Sequence, residues 1–253
     1  MASMGRARLA FGQGLSLWVL EAPGGFGDAR FHSHHAIQIT ISLRGTLALS
    51  TEEPALAGQV LGVAPDVPHK LSADGLLCLI FVEPESLTGR ALSARLFERA
   101  TLVEVEETEL LYRISPLRNA LDPPLDQDKM VDIGWAAVEL LARRKRHAEL
   151  PDPRIKQIID YAAAHFDEPL VHAAASTKVH LSESRLRHLF VEQTGLAFKT
   201  YLIWLRLNRA VQLYSQGASL TEAAHSAGFA DSAHFSRLFK RNFGLPATTL
   251  TRL

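Results

Sequence analysis

Three histidines and a glutamine stand at a spacing that can bind a ligand. His32-Ser33-His34 is followed four positions on by Gln38 and seven later by Gly45. His69 ends the run Pro65-Asp66-Val67-Pro68-His69 further downstream. Positions 32, 34 and 38 share parity, so an extended strand sends their side chains to one face, and His69 is expected from an adjacent strand. Three imidazole nitrogens and an amide oxygen suit a divalent ion such as Fe, Ni or Zn. The same four residues without metal suit hydrogen bonds to a small organic effector, and a purely structural role is the third reading. His35 has the opposite parity and is expected outside the pocket. A second group of residues suits nucleic acid. Ser184, Arg187 and His188 fall on the outward side of one short helical segment, and Ser232, Ala233 and Arg237 on that of another. Arginine can give two hydrogen bonds to a guanine edge, and an alanine methyl can pack on a thymine methyl. Arg185, Lys199, Arg206, Lys240 and Arg241 are candidates for phosphate contacts, which position a protein without reading sequence.

The elements that must hold these residues divide the chain. Residues 8 to 84 read as short strands broken by turns such as Pro23-Gly24-Gly25 and Arg44-Gly45. The clearest is Ala36 to Leu43, with Ile37, Ile39, Ile41 and Leu43 on one face and Gln38, Thr40 and Ser42 on the other. Further strands are expected at Val60–Ala64 and Leu76–Glu83, which suggests a small sandwich or barrel. From Glu85 onward the pattern is helical. Leu87–Ala100 and Asp132–Arg146 are candidates, the second ending in Arg143-Arg144-Lys145-Arg146, where cations suit a helix C-terminus. Glu149-Leu150-Pro151-Asp152-Pro153 reads as a linker, with Asp152 as N-cap and Pro153 as first helical residue.

The last third contains a repeat. Ser182-Glu-Ser-Arg-Leu-Arg-His-Leu-Phe190 with Gly195-Leu196 recurs as Asp231-Ser-Ala-His-Phe-Ser-Arg-Leu-Phe239 with Gly244-Leu245, at a constant offset of 49 residues. Each copy starts on an N-cap residue and ends on a glycine that can stop a helix. Each follows a short alanine-rich helix, Val171–Val179 or Leu220–Ala227, and Ser219 with Glu222 makes a capping box for the latter. These are two helix-turn-helix units. Between them Phe198–Tyr214 is apolar on two sides, the mark of a buried helix. Leu186, Leu189, Phe190, Phe235, Leu238 and Phe239 are expected in the core.

The run from Ser219 to Gly244 resembles the signature of the AraC/XylS family of transcription regulators. Leu181-Ser182 through Phe190, Gly195, Tyr201 and Arg206 resembles that family's upstream unit. The resemblance covers Pro153 to Leu253. It implies base contacts at Ser184, Arg187, His188, Ser232, Ala233 and Arg237. Ser176 replaces a usual alanine, and His180 stands where the first turn often has glycine. Histidine tolerates positive φ better than most residues, so His180 reads as a turn residue. The histidine spacing in turn resembles the two cupin motifs, with Gln38 in place of the glutamate of metal-binding cupins. For the Asp132–Arg146 helix, the family resemblance implies a dimer contact, and packing on its own barrel is the other reading.

Composition sets the remaining bounds. The chain has 253 residues and no formal net charge. Residues 152–253 nevertheless carry 12 Lys and Arg against 8 Asp and Glu, and residues 1–151 carry 15 against 19. This polarity suits a C-terminal half that meets a polyanion. The single cysteine, Cys78, lies in an apolar run and permits neither a disulfide nor a cysteine cluster. It also argues against a DNA-alkylation repair activity, which needs a reactive thiol. The N-terminus lacks a secretory core and no apolar run reaches membrane-spanning length, so a cytoplasmic protein is expected. The expected fold is α+β in two domains. Residues 1–85 form a cupin-like effector-sensing β-barrel, residues 86–150 trailing helices, and residues 151–253 an all-α double helix-turn-helix. The expected function is a transcription regulator controlled by a ligand in the barrel. Its expected partners are double-stranded DNA, a small effector, RNA polymerase if it activates, and a second copy of itself, with no membrane. No cofactor is expected beyond the metal alternative at His32, His34 and His69. The competing class is a metallo-cupin enzyme with an accessory helical domain. No Ser/His/Asp, P-loop or Rossmann signature is evident.

Overall fold

The computed structural model describes residues 5–27, 30–51, 54–142, 152–168 and 171–250. The N-terminal half is built on one antiparallel sheet of strands β1 (Ala7–Gly12), β2 (Leu15–Gly27), β3 (Ile37–Ser50), β4 (Leu56–Ala57), β5 (Val60–Val63), β6 (Lys70–Val82) and β7 (Leu102–Glu104). Their order is β1-β2-β6-β3-β5-β7, with β4 on β3. The long strands β2 and β3 both pair with β6, and each carries a register shift, at Ala22/Phe26 and at Ser42/Arg44. Such irregularities bend a strand. Just past the second, Gly45 pairs with Gly75 at φ 97 and 101. A Cβ on Gly45 would meet the Asp74 carbonyl oxygen at 2.0 Å, so no larger residue fits this crossing.

Alternation along the strands sorts the core into two. Leu15, Leu17 and Val19 of β2, Ile37, Ile39 and Ile41 of β3, and Cys78, Ile80 and Val82 of β6 face one side. Helices α1 (Leu87–Leu96), α2 (Thr108–Arg113) and α3 (Gln127–Ala142) cover that side. Trp18, Leu20, Leu61, Val63, Leu79 and Phe81 face the other, where the polar Gln38 and Thr40 are also buried. The expected strands are thus present, and β3 and β6 run longer than the periodicity predicted. Cys78 is free and buried, and burial raises its thiol pKa far above the usual value, which leaves it inert.

Helix α3 starts five residues before the expected Asp132. Its buried face, including Met130, Gly134, Ala137, Val138 and Leu141, packs on β1, β2 and α1 of its own domain. Gly134 lets it close on Leu15 and Leu17, each 3.1 Å from where a Cβ would stand. The basic end, Arg143 to Arg146, and most of the expected linker lie outside the described residues.

The C-terminal half contains α4 (Pro153–His165), α5 (Val171–Lys178), α6 (Glu183–Thr194), α7 (Phe198–Ser215), α8 (Leu220–Ser226) and α9 (Ser232–Phe243). Asp152 caps α4, accepting from the Arg154 amide at 2.9 Å with Pro153 in the first turn, as the sequence predicted. Helix α7 is the central element. Phe198, Tyr201, Leu202, Leu207, Ala210 and Val211 are buried in it, and it contacts α6, α8, α9 and β1. Among the described residues, no helix is long and apolar enough to cross a membrane.

Candidate functional site

The two helix-turn-helix units are α5–α6 and α8–α9. Ser182 and Asp231 cap α6 and α9, accepting from Arg185 N at 3.2 Å and His234 N at 2.6 Å. Gly195 and Gly244 end them in the left-handed region at φ 77 and 73. The capping box of α8 is formed on both sides, with Ser219 N to Glu222 Oε2 at 2.8 Å and Glu222 N to Ser219 Oγ at 3.1 Å. The two turns differ by one residue. Leu181 N bonds Ser176 O and Phe229 N bonds Ala224 O, an offset of 48, whereas the recognition helices are offset by 49. His180 at φ 54 therefore matches Gly228 at φ 79, the role predicted for it. Ser176, buried where the second unit has Ala224, satisfies its hydroxyl on Ala173 O at 2.8 Å.

The faces divide as expected. Leu186, Leu189, Phe190, Phe235, Leu238 and Phe239 are buried. Ser184, Arg187, His188, Ala233 and Arg237 are exposed and Ser232 is half-buried. Among the phosphate candidates, Arg185, Lys199 and Lys240 are exposed. Arg206 is not. It is half-buried, its Nε donates to Phe166 O at 3.0 Å, and its side chain lies over Gly228. Arg206 thereby ties α7 to the end of α4. Arg241 is exposed but lines a cleft between the two halves of the chain.

The histidine cluster assembles as the spacing implied, though not on one strand. Strand β3 begins only at Ile37, and His32 instead forms an isolated bridge with His69. The ring centroids of His32 and His69 are 4.3 Å apart and those of His34 and His69 5.0 Å. His34 Nδ1 is 3.0 Å from Ala36 O, and His69 Nδ1 is 2.8 Å from Val67 O. Those carbonyls can only accept, so each imidazole spends its proton there. The Nε2 lone pairs then face Gln38 Oε1, at 2.9 Å from His34 and 3.3 Å from His69. Three acceptors cannot converge unaided. Turning the Gln38 amide over resolves this, because its NH2 then donates to both rings and its oxygen accepts from Thr40 Oγ1, now at 2.8 Å from the amide nitrogen. A cation between them resolves it too. Burial, aided by mutual repulsion, pushes His32 down to about 2 and His34 to about 3, and burial also lowers His69. All three are neutral at pH 7.

These residues fit a divalent ion by type. Carbonyl-oriented imidazoles are the usual metal-site arrangement. By distance they must draw in. The three ligand nitrogens lie within 4.8 Å of one another. An ion ~2.1 Å from each can span at most ~4.2 Å between them.

No local pattern in the sequence points to the junction between the halves. Trp18 of β2 lies parallel to Phe239 of α9 at 6.3 Å and 4.8 Å from Phe243. Phe81 and His34 are 5.6 and 6.2 Å from Phe243, and Trp204 of α7 is 6.2 Å from it. Beside these rings, Tyr201 donates to Glu83 Oε2 at 3.4 Å. Burial, reinforced by Glu85, raises the Glu83 pKa well above the usual carboxylate range, and burial raises Tyr201 likewise. His35 turns away from the Gln38 cluster, although it lines a cleft with His32 and His34. It is 2.9 Å from Glu85 and 3.4 Å from Asp66. Burial opposes its charge, but the two carboxylates prevail and raise it to about 9. Two clefts open along this junction. One of about 180 Å³ lies over Glu83 and Asn208, and one of about 370 Å³ lies between His34, His35 and Asp66 on one wall and Thr200, Arg241 and Asn242 on the other.

Comparison with known proteins bears on the two halves differently. A helix-turn-helix domain family matches residues 175–252. The HTH-type transcriptional activator RhaS of Citrobacter koseri is 38% identical over 93 residues, 36% of this chain and 34% of that protein. The match spans about a third of the length of the curated relatives. Over nearly the full length the fold is that of ToxT from Vibrio cholerae O395, with a TM-score of 0.60 and 12% identity, covering 96% of this chain and 100% of that one. A ToxT structure from Vibrio cholerae strain SCE256, described as bound to an unsaturated fatty acid, gives a TM-score of 0.52 at 13% identity, covering 98% and 94%. The likeness to ToxT shows the expected two-part α+β fold, a sheet domain followed by a helical one. The RhaS match falls on the same C-terminal stretch that carries the repeat, and that stretch is similar both to the helix-turn-helix domain family and to RhaS.

Proposed function

We propose that this protein is a sequence-specific DNA-binding transcription regulator whose N-terminal domain takes a small-molecule effector. The observation that carries the reading is the split of α6 and α9, with the apolar side of each in the core and the predicted base-reading side open to solvent. A recognition helix needs that split to enter a major groove. RhaS is named a transcriptional activator and a ToxT structure holds a fatty acid, which supports both parts of the reading. The effector site would centre on His32, His34, Gln38 and His69. A divalent ion there is the second occupant we consider, favoured by the lone pairs that converge on Gln38. No enzymatic role is proposed. A cytoplasmic location, contact with RNA polymerase and pairing of two copies belong to the same proposal. For pairing, α3 would offer its outer residues such as Asp132 and Glu139, because its apolar side is spent on its own sheet.

The test is the salt dependence of duplex binding. Arg185, Lys199 and Lys240 alone should give a log-log slope of about −3 or steeper. Binding insensitive to salt would contradict groove binding.

A further inference from the structure

We infer that the mouth of the barrel is a site for a flat aromatic ring carrying one hydroxyl, a phenol in chemical class, and that Phe243 of the second recognition helix fills it in this state. The inference rests on the regulator reading and says what the effector is like and what it displaces.

The inner face of the sheet is full. The cavity left among Trp18, Leu20, Gln38, Phe81, Phe243 and Leu245 is about 20 Å³. That is room for one water, whereas small-molecule pockets run to several hundred Å³. No effector enters between Trp18 and Phe81 while this packing stands, and the cleft of about 370 Å³ beside His34 lies outside that space. Two of the residues that close it, Phe243 and Leu245, belong to the DNA-binding half.

Phe243 is held as a bound ligand would be. Its ring is boxed by Trp18 and Phe239 at 4.8 Å each, Phe81 at 5.6 Å, and His34 and Trp204 at 6.2 Å each. Three of the five are on the N-terminal domain. Edge and tilted contacts of this kind select a flat ring over an aliphatic group. Phe243 is also the last residue of α9, followed by Gly244 at φ 73, so it can leave the box by a local change at the helix end.

Behind the ring stand the polar groups. His34 and His69 present Nε2 lone pairs because their Nδ1 protons are taken by Ala36 O and Val67 O. A ligand reaching them must donate. A phenolic hydroxyl donates to one of these nitrogens, and so relieves the meeting of acceptors that stands when the Gln38 oxygen faces the rings. Phenylalanine makes no such bond, which is the differential contact that lets a phenol win the box from Phe243. Occupancy then frees the end of α9 from the sheet, coupling effector to recognition helix.

The experiment uses phenol itself on the full chain. Affinities of wild type, Phe243→Ala and Phe243→Leu are read by tryptophan fluorescence, since Trp18 and Trp204 flank the site. Phenol should bind Phe243→Ala at least tenfold tighter than wild type, with Phe243→Leu between them, and toluene should bind Phe243→Ala at least fivefold more weakly than phenol. In wild type, saturating phenol should speed amide exchange across residues 239–245 several-fold and leave 37–41 unchanged. Equal affinities, including no binding by any form, overturn the inference. So does unchanged exchange at 239–245 in wild type, an arm that holds even if the variants fail to fold. Duplex DNA affinity measured on the same wild-type sample separates the two claims. DNA binding without a phenol response sinks this inference alone, and loss of DNA binding sinks the regulator reading.

Discussion

The Tyr201 hydroxyl reaches Glu83 Oε2 at 3.4 Å, joining α7 of the DNA-binding half to the residue that follows β6. Glu85 and His35 are the charged groups acting on that carboxyl, and burial is the largest influence on it. Its proton is therefore retained on folding at a pH where the unfolded chain has lost it. An acid with a raised folded pKa binds more protons folded than unfolded, so stability falls as pH rises from ~4.5 toward the raised value.

Glu83→Gln should remove that fall. Between pH 5.5 and 8 the variant should lose less stability than wild type, by more than ~1 kcal/mol, read from urea midpoints. His35, raised to about 9, adds a separate loss from ~6.5 upward that both proteins share. Parallel pH profiles for the two would show that Glu83 is ionised in the fold.

Arg206 and Lys240 should separate cleanly. Arg206 bonds the Phe166 carbonyl, so Arg206→Ala should cost ~1–3 kcal/mol of stability and leave the salt slope of DNA binding unchanged. Lys240 is exposed, so Lys240→Ala should leave stability alone and lower the slope by about 1. The reverse pattern would return Arg206 to the phosphate contacts.

His180 holds a left-handed conformation that costs an ordinary residue about 1–2 kcal/mol. His180→Gly should raise stability by ~0.5–1 kcal/mol despite the looser unfolded chain, and His180→Val should lower it. A destabilised glycine variant would mean that the imidazole makes a contact worth more than the strain.

Metal content bears on the histidine pocket. Tag-free protein should carry substoichiometric metal by mass spectrometry, because the ligand nitrogens stand wider than one ion can bridge. A near-stoichiometric ion that is lost in His34→Ala would make the pocket a metal centre.

Local signals in the sequence carried much of this. The repeat located both recognition helices because caps, stop glycines and apolar spacing are written within a dozen residues of each other. Parity brought His32, His34 and Gln38 together, although the chain uses a bend before Ile37 rather than one strand. The junction had no such signal. Phe243 stands one turn after Phe239 and reads as core of its own helix, and Trp18 reads as an ordinary strand residue. Their meeting joins positions more than 200 apart and follows no period. Glu83 looked like a strand end, and only its burial against Tyr201 makes it matter. Arg206 reads as a phosphate contact in the sequence, and only the fold puts Phe166 O beside it.

The most direct test of the account is selection of duplexes from a randomised pool by wild type, Arg187→Ala and Arg237→Ala. Two separate conserved half-sites are expected, each arginine variant losing ~1–3 kcal/mol and relaxing base preference in a different one. A single site, or variants that keep the wild-type preference in both halves, would contradict the assignment of α6 and α9 as the two reading helices.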